Sequence, residues 1–257
     1  MRIILNADGF GHSDDTVRAT IECFHSGALS SATIVAKMPA TPQAIEFAQK
    51  HPEFSFGVHL AFTNDGISAP MSEPRSIPAL LNGGGSLLAP QRLRWLALRN
   101  KLPADQLEKE ISAQISFIRD QGISVSHVDS HGEMHKFRPF VNALVNVLPR
   151  FGIKRVRSAQ DTYIRKPFKG PTFWAGSFWR RRIMSRFITT DHFFAPTNLP
   201  DARAMQDWMP PVTDESIEVG ARPGYSDEWR SAERQAVQSF AARALKSGHH
   251  FITWNQL

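Results

Sequence analysis

Short apolar runs rich in β-branched residues alternate along this chain with longer stretches of helical periodicity, and that alternation constrains the fold more than any other feature. A strand, a helix and a second strand in succession form the unit of a parallel sheet covered by helices. Residues 2–6 read as the first strand, ending in the glycine-bearing turn Asp8-Gly9-Phe10-Gly11. Ser13 or Asp14 then caps a helix running towards Cys23 and Phe24. Further strands are read at 31–36, 54–61, 125–130, 153–156, 217–221 and 251–254. Another helix starts near Pro42, Leu107, Ile111, Ile115 and Ile118 mark a buried helical stripe that stops at Gly122, Val141, Leu144, Val145 and Leu148 mark the next, and 227–246 form a long one. At 257 residues the length permits one α/β barrel or two smaller domains, and the even rhythm favours one.

Two stretches interrupt the rhythm: 63–90, with its Gly83-Gly84-Gly85 run, and 159–200, rich in aromatics, prolines and arginines. In a barrel such insertions belong at loop ends, where lids and substrate walls are placed. No internal repeat of fixed period is present.

With 42% hydrophobic and 21% charged residues the composition is that of a soluble globular chain, which excludes global disorder. The single cysteine, Cys23, excludes an intramolecular disulfide and a cysteine-rich zinc cluster, and is expected to be a buried thiol in a reducing compartment. The first apolar stretch is too short for a secretory signal and no apolar run reaches transmembrane length, so a cytoplasmic location is expected. A net charge of +6 admits an anionic partner, with a solvated basic surface as the plainer explanation.

Polar segments sit where three of the strands end: Asn6-Ala7-Asp8-Gly9-Phe10-Gly11, Gly57-Val58-His59-Leu60, and His127-Val128-Asp129-Ser130-His131-Gly132-Glu133-Met134-His135. In parallel α/β folds the carboxyl ends of several strands converge on one mouth, so residues distant in sequence meet there. Neutral imidazoles with carboxylates suit zinc or another first-row divalent ion, which is the chemical case for His59 with His131.

In these segments the chain resembles the YdjC-like carbohydrate deacetylases, which include chitooligosaccharide deacetylases and carry Asn-Ala-Asp-Asp-Phe-Gly, a Gly-X-His-Leu-like segment and Asp-Ser-His-X-His-X-His in the same order. The resemblance implies an incomplete or distorted (β/α) barrel, TIM-like, as a single domain over 1–257. It further implies a metal-dependent hydrolase that deacetylates an N-acetyl amino sugar, with a role in surface-polysaccharide biosynthesis. By the same resemblance His59 and His131 match ligands of a divalent metal, zinc or magnesium, and Asp8 matches the catalytic base. His135 matches the last histidine of its motif, and Asp129 is placed to orient His131 or the backbone around it.

Two positions depart from the family pattern. Gly9 stands where relatives have a second aspartate that binds metal, leaving Asp8 to move inward, or His12 or Glu133 to supply the missing contact. Arg222 stands where relatives place a histidine before proline, and a guanidinium cannot shuttle a proton reversibly. Arg222 is instead a candidate to stabilise an oxyanion or to bind a carboxylate or phosphate. These changes leave open a rebuilt deacetylase site, a different reaction on a related sugar, or a glycan-binding protein without catalysis.

Between Arg165 and Arg186 five further cations are interleaved with Phe168, Phe173, Trp174, Phe178 and Trp179, with no acidic residue. Aromatic faces stack on sugar rings and cations hold phosphates, so an anionic or lipid-diphosphate-linked glycan suits this patch, with Trp174 as a substrate-binding candidate. Peripheral contact with the inner face of the membrane would use the same residues. A nucleic-acid partner is disfavoured because no recognised binding motif accompanies them. A homo-oligomer is compatible with the sequence.

Overall fold

The computed structural model describes residues 1–63, 69–164 and 171–257, without the side chains of 171–175. Its parallel sheet curls into an incomplete barrel with helices around it. In chain order the elements are β1 (Arg2–Phe10), α1 (Asp14–His25), β2 (Ser31–Ile34), α2 (Thr41–Lys50), β3 (Ser55–Leu60), α3 (Pro90–Leu98), α4 (Ala104–Arg119), β4 (Val125–Ser130), α5 (Arg138–Val147), α6 (Pro171–Met184), β5 (His192–Phe194), α7 (Leu199–Met205), β6 (Ser216–Ala221), α8 (Glu228–Lys246) and β7 (His250–Phe251). The strand order is β4-β3-β2-β1-β6-β5, and β7 pairs with the first residues of β1.

Ile3, Ile4 and Leu5 of β1 are all fully buried, because the strand is covered on both faces and needs no polar side. The expected cap of α1 forms at Ser13. Its hydroxyl accepts from Thr16 N at 3.3 Å while the Thr16 hydroxyl accepts from Ser13 N at 3.1 Å, an arrangement that stabilises a helix start by about 1 kcal/mol. Leu107, Ile111, Ile115 and Ile118 are the buried stripe of α4. From the same helix, buried Glu110 accepts from the backbone of Met71 and Ser72 at 2.9 Å each, tying down the stretch that follows β3.

Three sequence expectations are revised. Residues 153–156 make only the single parallel pairs Val128↔Val156 and Arg155↔Ile188, so the sheet crosses from β4 towards β5 by isolated bridges, and the barrel is distorted there. The last strand is His250–Phe251, because Thr253 caps a short 3-10 turn, Trp254–Gln256, that ends the extended run. The stretch 159–200 contains α6 and β5, and β5 is too short to show an alternating pattern.

Candidate active site

The carboxyl ends of β1, β3, β4 and β6 open into one cavity of about 830 Å³, lined by Asp8, His12, His59, His131, Glu133, Arg157 and Arg222 among others. At its floor stands Arg157, only 2% exposed at the side chain. Its Nη1 and Nη2 donate to the two oxygens of Asp8 at 2.7 and 2.6 Å. Nη1 also lies 2.6 Å from Asp129 Oδ2, and Nη2 lies 2.6 Å from Glu218 Oε1. Carboxylates from β1, β4 and β6 therefore converge on one guanidinium, whose planar fork suits several acceptors at once. The Phe193 ring, 4.6 Å away, covers the guanidinium face.

Charge is shared unevenly in this network. Burial disfavours ionisation of Asp129, but Arg157 and His59 outweigh it and hold that group well below the usual carboxylate range. Glu218 is fully buried too, and there burial pushes the carboxyl up to about 7 despite Arg157. Its Oε2 has no hydrogen-bond partner among the described residues. The Arg157 guanidinium, desolvated but surrounded by acids, is shifted well above its ordinary value.

Asp129 Oδ1 lies 2.8 Å from His59 Nδ1, and its Oδ2 accepts from Thr33 at 3.0 Å. Burial alone would lower the pKa of His59; the neighbouring carboxylate outweighs it and raises the pKa. A bond at Nδ1 turns Nε2 away from Asp129, the arrangement by which a carboxylate orients a metal-binding imidazole. The His59 and His131 rings are 5.9 Å apart, nearly perpendicular. The structure therefore brings these two predicted residues together, and Asp129 holds the His59 imidazole.

Gly9 has φ +72°, and a Cβ built there would lie 3.9 Å from His59 Cδ2 with nothing nearer. A side chain at this position would stand against the His59 ring, and glycine leaves that place without a donor. Among the described residues no group of three His, Cys, Asp or Glu is placed to hold a metal ion. The donors present suit a divalent ion as a pair of imidazoles, one short of the usual three protein ligands.

The remaining candidates separate. His12 lines the cavity. Glu133 lines it too, but is paired with Lys136 at 2.7 Å, and this partner holds it below its ordinary value against the effect of burial. Gly132 and Glu133 take left-handed backbone angles, φ 60° and 54°, and the turn carries His135 away from the mouth. His135 is buried, 2.7 Å from the Ser130 hydroxyl, and burial lowers it to about 4. It is not among the residues that line the cavity. The Trp174 side chain lies outside the described residues.

Arg222 does line the cavity, with its guanidinium already engaged: Nη2 donates to Glu233 Oε1 at 2.6 Å and to the Pro196 carbonyl at 2.7 Å, and the Trp229 ring lies 4.8 Å away. Sequence reasoning missed Arg157 and the roles of Glu218 and Glu233. The available signals were a glutamate inside the apolar run Ile217-Glu218-Val219 and an arginine directly after Ile153-Lys154-Arg155-Val156.

A family model described as YdjC-like protein matches residues 2–247. The chain belongs to this family. Among YdjC-like relatives, a carbohydrate deacetylase of Listeria monocytogenes serotype 4a (strain HCC23) is 28% identical over 232 residues, 89% of this chain and 83% of the relative. A carbohydrate deacetylase of Geobacillus stearothermophilus is 32% identical over 160 residues, 61% of this chain and 60% of the relative. A proposed cellobiose-phosphate cleavage protein of Enterococcus faecalis V583 superposes with a TM-score of 0.79 at 18% identity, covering 99% of this chain and 98% of that one, which shows a shared fold. Asp8, His59 and His131 all line the cavity, and Arg157 pairs with Asp8.

Proposed function

We propose that this chain is a carbohydrate deacetylase that hydrolyses the acetamide of an N-acetylated amino sugar. The observation that carries the reading is the Asp8 carboxylate, fixed by Arg157 at the floor of a cavity that His59 and His131 also line. The carbohydrate deacetylases among its relatives support it.

In the reaction a water oxygen adds to the acetamide carbonyl carbon, the C–N bond breaks, acetate leaves and the amine nitrogen gains a proton. Asp8 takes the proton from water at Oδ2, since Oδ1 accepts from both Asn6 and Arg157 Nη2 while Oδ2 accepts from Arg157 Nη1 and keeps a second lone-pair direction. Two bonds from the guanidinium and one from Asn6 at 2.9 Å hold the carboxylate in a single orientation. The proton it collects is available to the departing amine. A divalent ion, zinc or magnesium, held by His59 and His131 would polarise the carbonyl and acidify the water.

Arg222 stays protonated, so its part is to position substrate. Trp179 and Trp229 line the cavity as stacking faces for sugar rings, and Arg94, Lys136 and Arg230 line it as cations. They favour a glycan carrying an anionic group, including a lipid-diphosphate-linked one, and a place in surface-polysaccharide synthesis belongs to the same proposal.

A second reading, glycan binding without turnover, is favoured by Gly9, which offers no third donor beside His59. Acetate release from a panel of N-acetylated amino sugars, measured with and without added zinc or magnesium, separates the two. Release that disappears in Asp8→Asn supports hydrolysis. Sugar binding with no acetate in any metal supports the second reading.

A further inference from the structure

Two helices flank the cavity mouth, and the mechanism uses neither outer face. Residues 74–104 contain no Asp or Glu, and neither do 165–190, so α3 and α6 each lie in an acid-free stretch. On α3, Leu93 and Ala97 are buried while Trp95 and Leu98 are 43% and 64% exposed, and the Arg92 and Arg99 guanidinium groups lie 4.9 and 4.5 Å from the Trp95 ring. On α6, Ile183 is buried while Phe178 and Met184 are 59% and 41% exposed, with the Arg182 guanidinium 4.5 Å from the Phe178 ring. Each helix thus turns a stripe of large apolar side chains mixed with arginines outward.

The two stripes border the same opening. Arg94 of α3 and Trp179 of α6 both line the cavity, and the segment His131–Lys136 touches each helix: Arg94 Nη2 is 3.1 Å from a Cβ built on Gly132, and Lys136 Nζ is 4.8 Å from the Trp179 ring. None of Arg92, Arg94, Arg99, Arg181, Arg182 and Arg186 makes an ion pair among the described residues. Aromatic and aliphatic side chains at the level of unpaired guanidinium groups are the composition of an interfacial helix, whose rings enter the acyl boundary while the cations meet headgroup phosphates. A purely solvated basic face has no use for exposed Trp95, Leu98 and Phe178.

We propose that the outer faces of α3 and α6 form a docking surface for an anionic lipid bilayer, placing the cavity mouth at the headgroup level. No helix among the described residues is long and apolar enough to cross a membrane, so the contact is peripheral. It requires no catalysis, and holds or fails independently of the deacetylase reading.

Vesicle flotation tests it, with the full chain and vesicles of phosphatidylcholine alone or with about 30% phosphatidylglycerol, the range in which anionic lipid gives a substantial surface potential. The chain should float with the anionic vesicles only, and added salt should release it. Each arginine removed among Arg92, Arg99 and Arg181 should weaken binding about fivefold, and Trp95→Ser with Phe178→Ser should abolish flotation while circular dichroism shows an intact fold. Lys246→Glu on α8 serves as a charge control and should leave flotation unchanged. Failure to float with anionic vesicles at low salt overturns the proposal. So does tighter binding to single-stranded DNA that is indifferent to the Trp95 and Phe178 changes, which would make the patch a nucleic-acid surface.

Discussion

Arg157 grips Asp8 with both terminal nitrogens, at 2.7 and 2.6 Å, and the same guanidinium holds Asp129 and Glu218. Arg157→Met leaves these acids without a counter-charge inside the barrel, and unfolding in urea should show a loss of about 3–5 kcal/mol. Arg157→Lys keeps a charge but loses the fork. It should fold, and kcat for acetate release should fall by about 100-fold while KM changes little, since a misplaced base costs chemistry rather than binding.

Gly9 leaves a place against the His59 ring unfilled, which makes metal affinity a direct test of the donor set. Isothermal titration with zinc should find weak binding to the natural chain. Gly9→Asp should tighten it by at least about tenfold, the scale at which even an outer contact to a ligand counts. The left-handed φ of +72° at this position makes the substitution cost about 1–2 kcal/mol of stability. Unchanged zinc affinity in this variant would show that position 9 does not face the ion.

Glu218 is raised from 4.5 to about 7, chiefly by burial, so the folded chain keeps a proton that the unfolded chain releases. Stability from this group is present below pH 4.5 and is lost as pH rises through about 7. Glu218→Gln lacks that loss. Measured by urea unfolding, its stability relative to the natural chain should climb across the window by an amount on the order of a few kcal/mol.

His127 works in the opposite sense. It stacks on Trp254 with ring centres 4.4 Å apart, and burial lowers it from 6.5 to about 3. The unfolded chain takes up this proton first, so the stability is present above pH 6.5 and is lost as pH falls towards 3. His127→Phe keeps a flat ring on Trp254 and should flatten the acid side of the stability profile. A profile unchanged below pH 6.5 would remove His127 from the account of acid unfolding.

Arg222→Ala strands the Glu233 carboxylate, whose side chain is only 2% exposed. Thermal or urea unfolding should show a loss of about 1–3 kcal/mol, the cost of leaving a buried acceptor unpaired. Adding Glu233→Gln should restore much of it. Full additivity of the two changes would mean that the pair is not coupled.

The parts of the site that could be read from the sequence were contiguous. Asn6–Gly11 and Asp129–His135 carry their chemistry in short runs at strand ends, and β-branched periodicity placed those ends at one mouth. His135 shows where such reading stops. It sits in the right motif, yet a left-handed turn at Gly132 and Glu133 buries it against Ser130, and sequence spacing does not report that rotation.

Arg157 was illegible for a different reason. A lone arginine after a strand reads as a surface residue, and only its surroundings make it otherwise. Asp8 lies 149 positions away in the chain, and Glu218 lies 61 away on a strand of its own.

Local order therefore came from the sequence alone: the alternation of strand and helix, the Ser13 cap, the buried stripe of α4 and the residues crowding the strand ends. Those features depend on neighbours within a few positions, where steric and hydrogen-bond preferences act. Tertiary structure decided which charges face one another and which protonate. Coulomb and desolvation energies depend on distance through space and on exclusion of water, and both are set only when β1, β4 and β6 curl around a common interior.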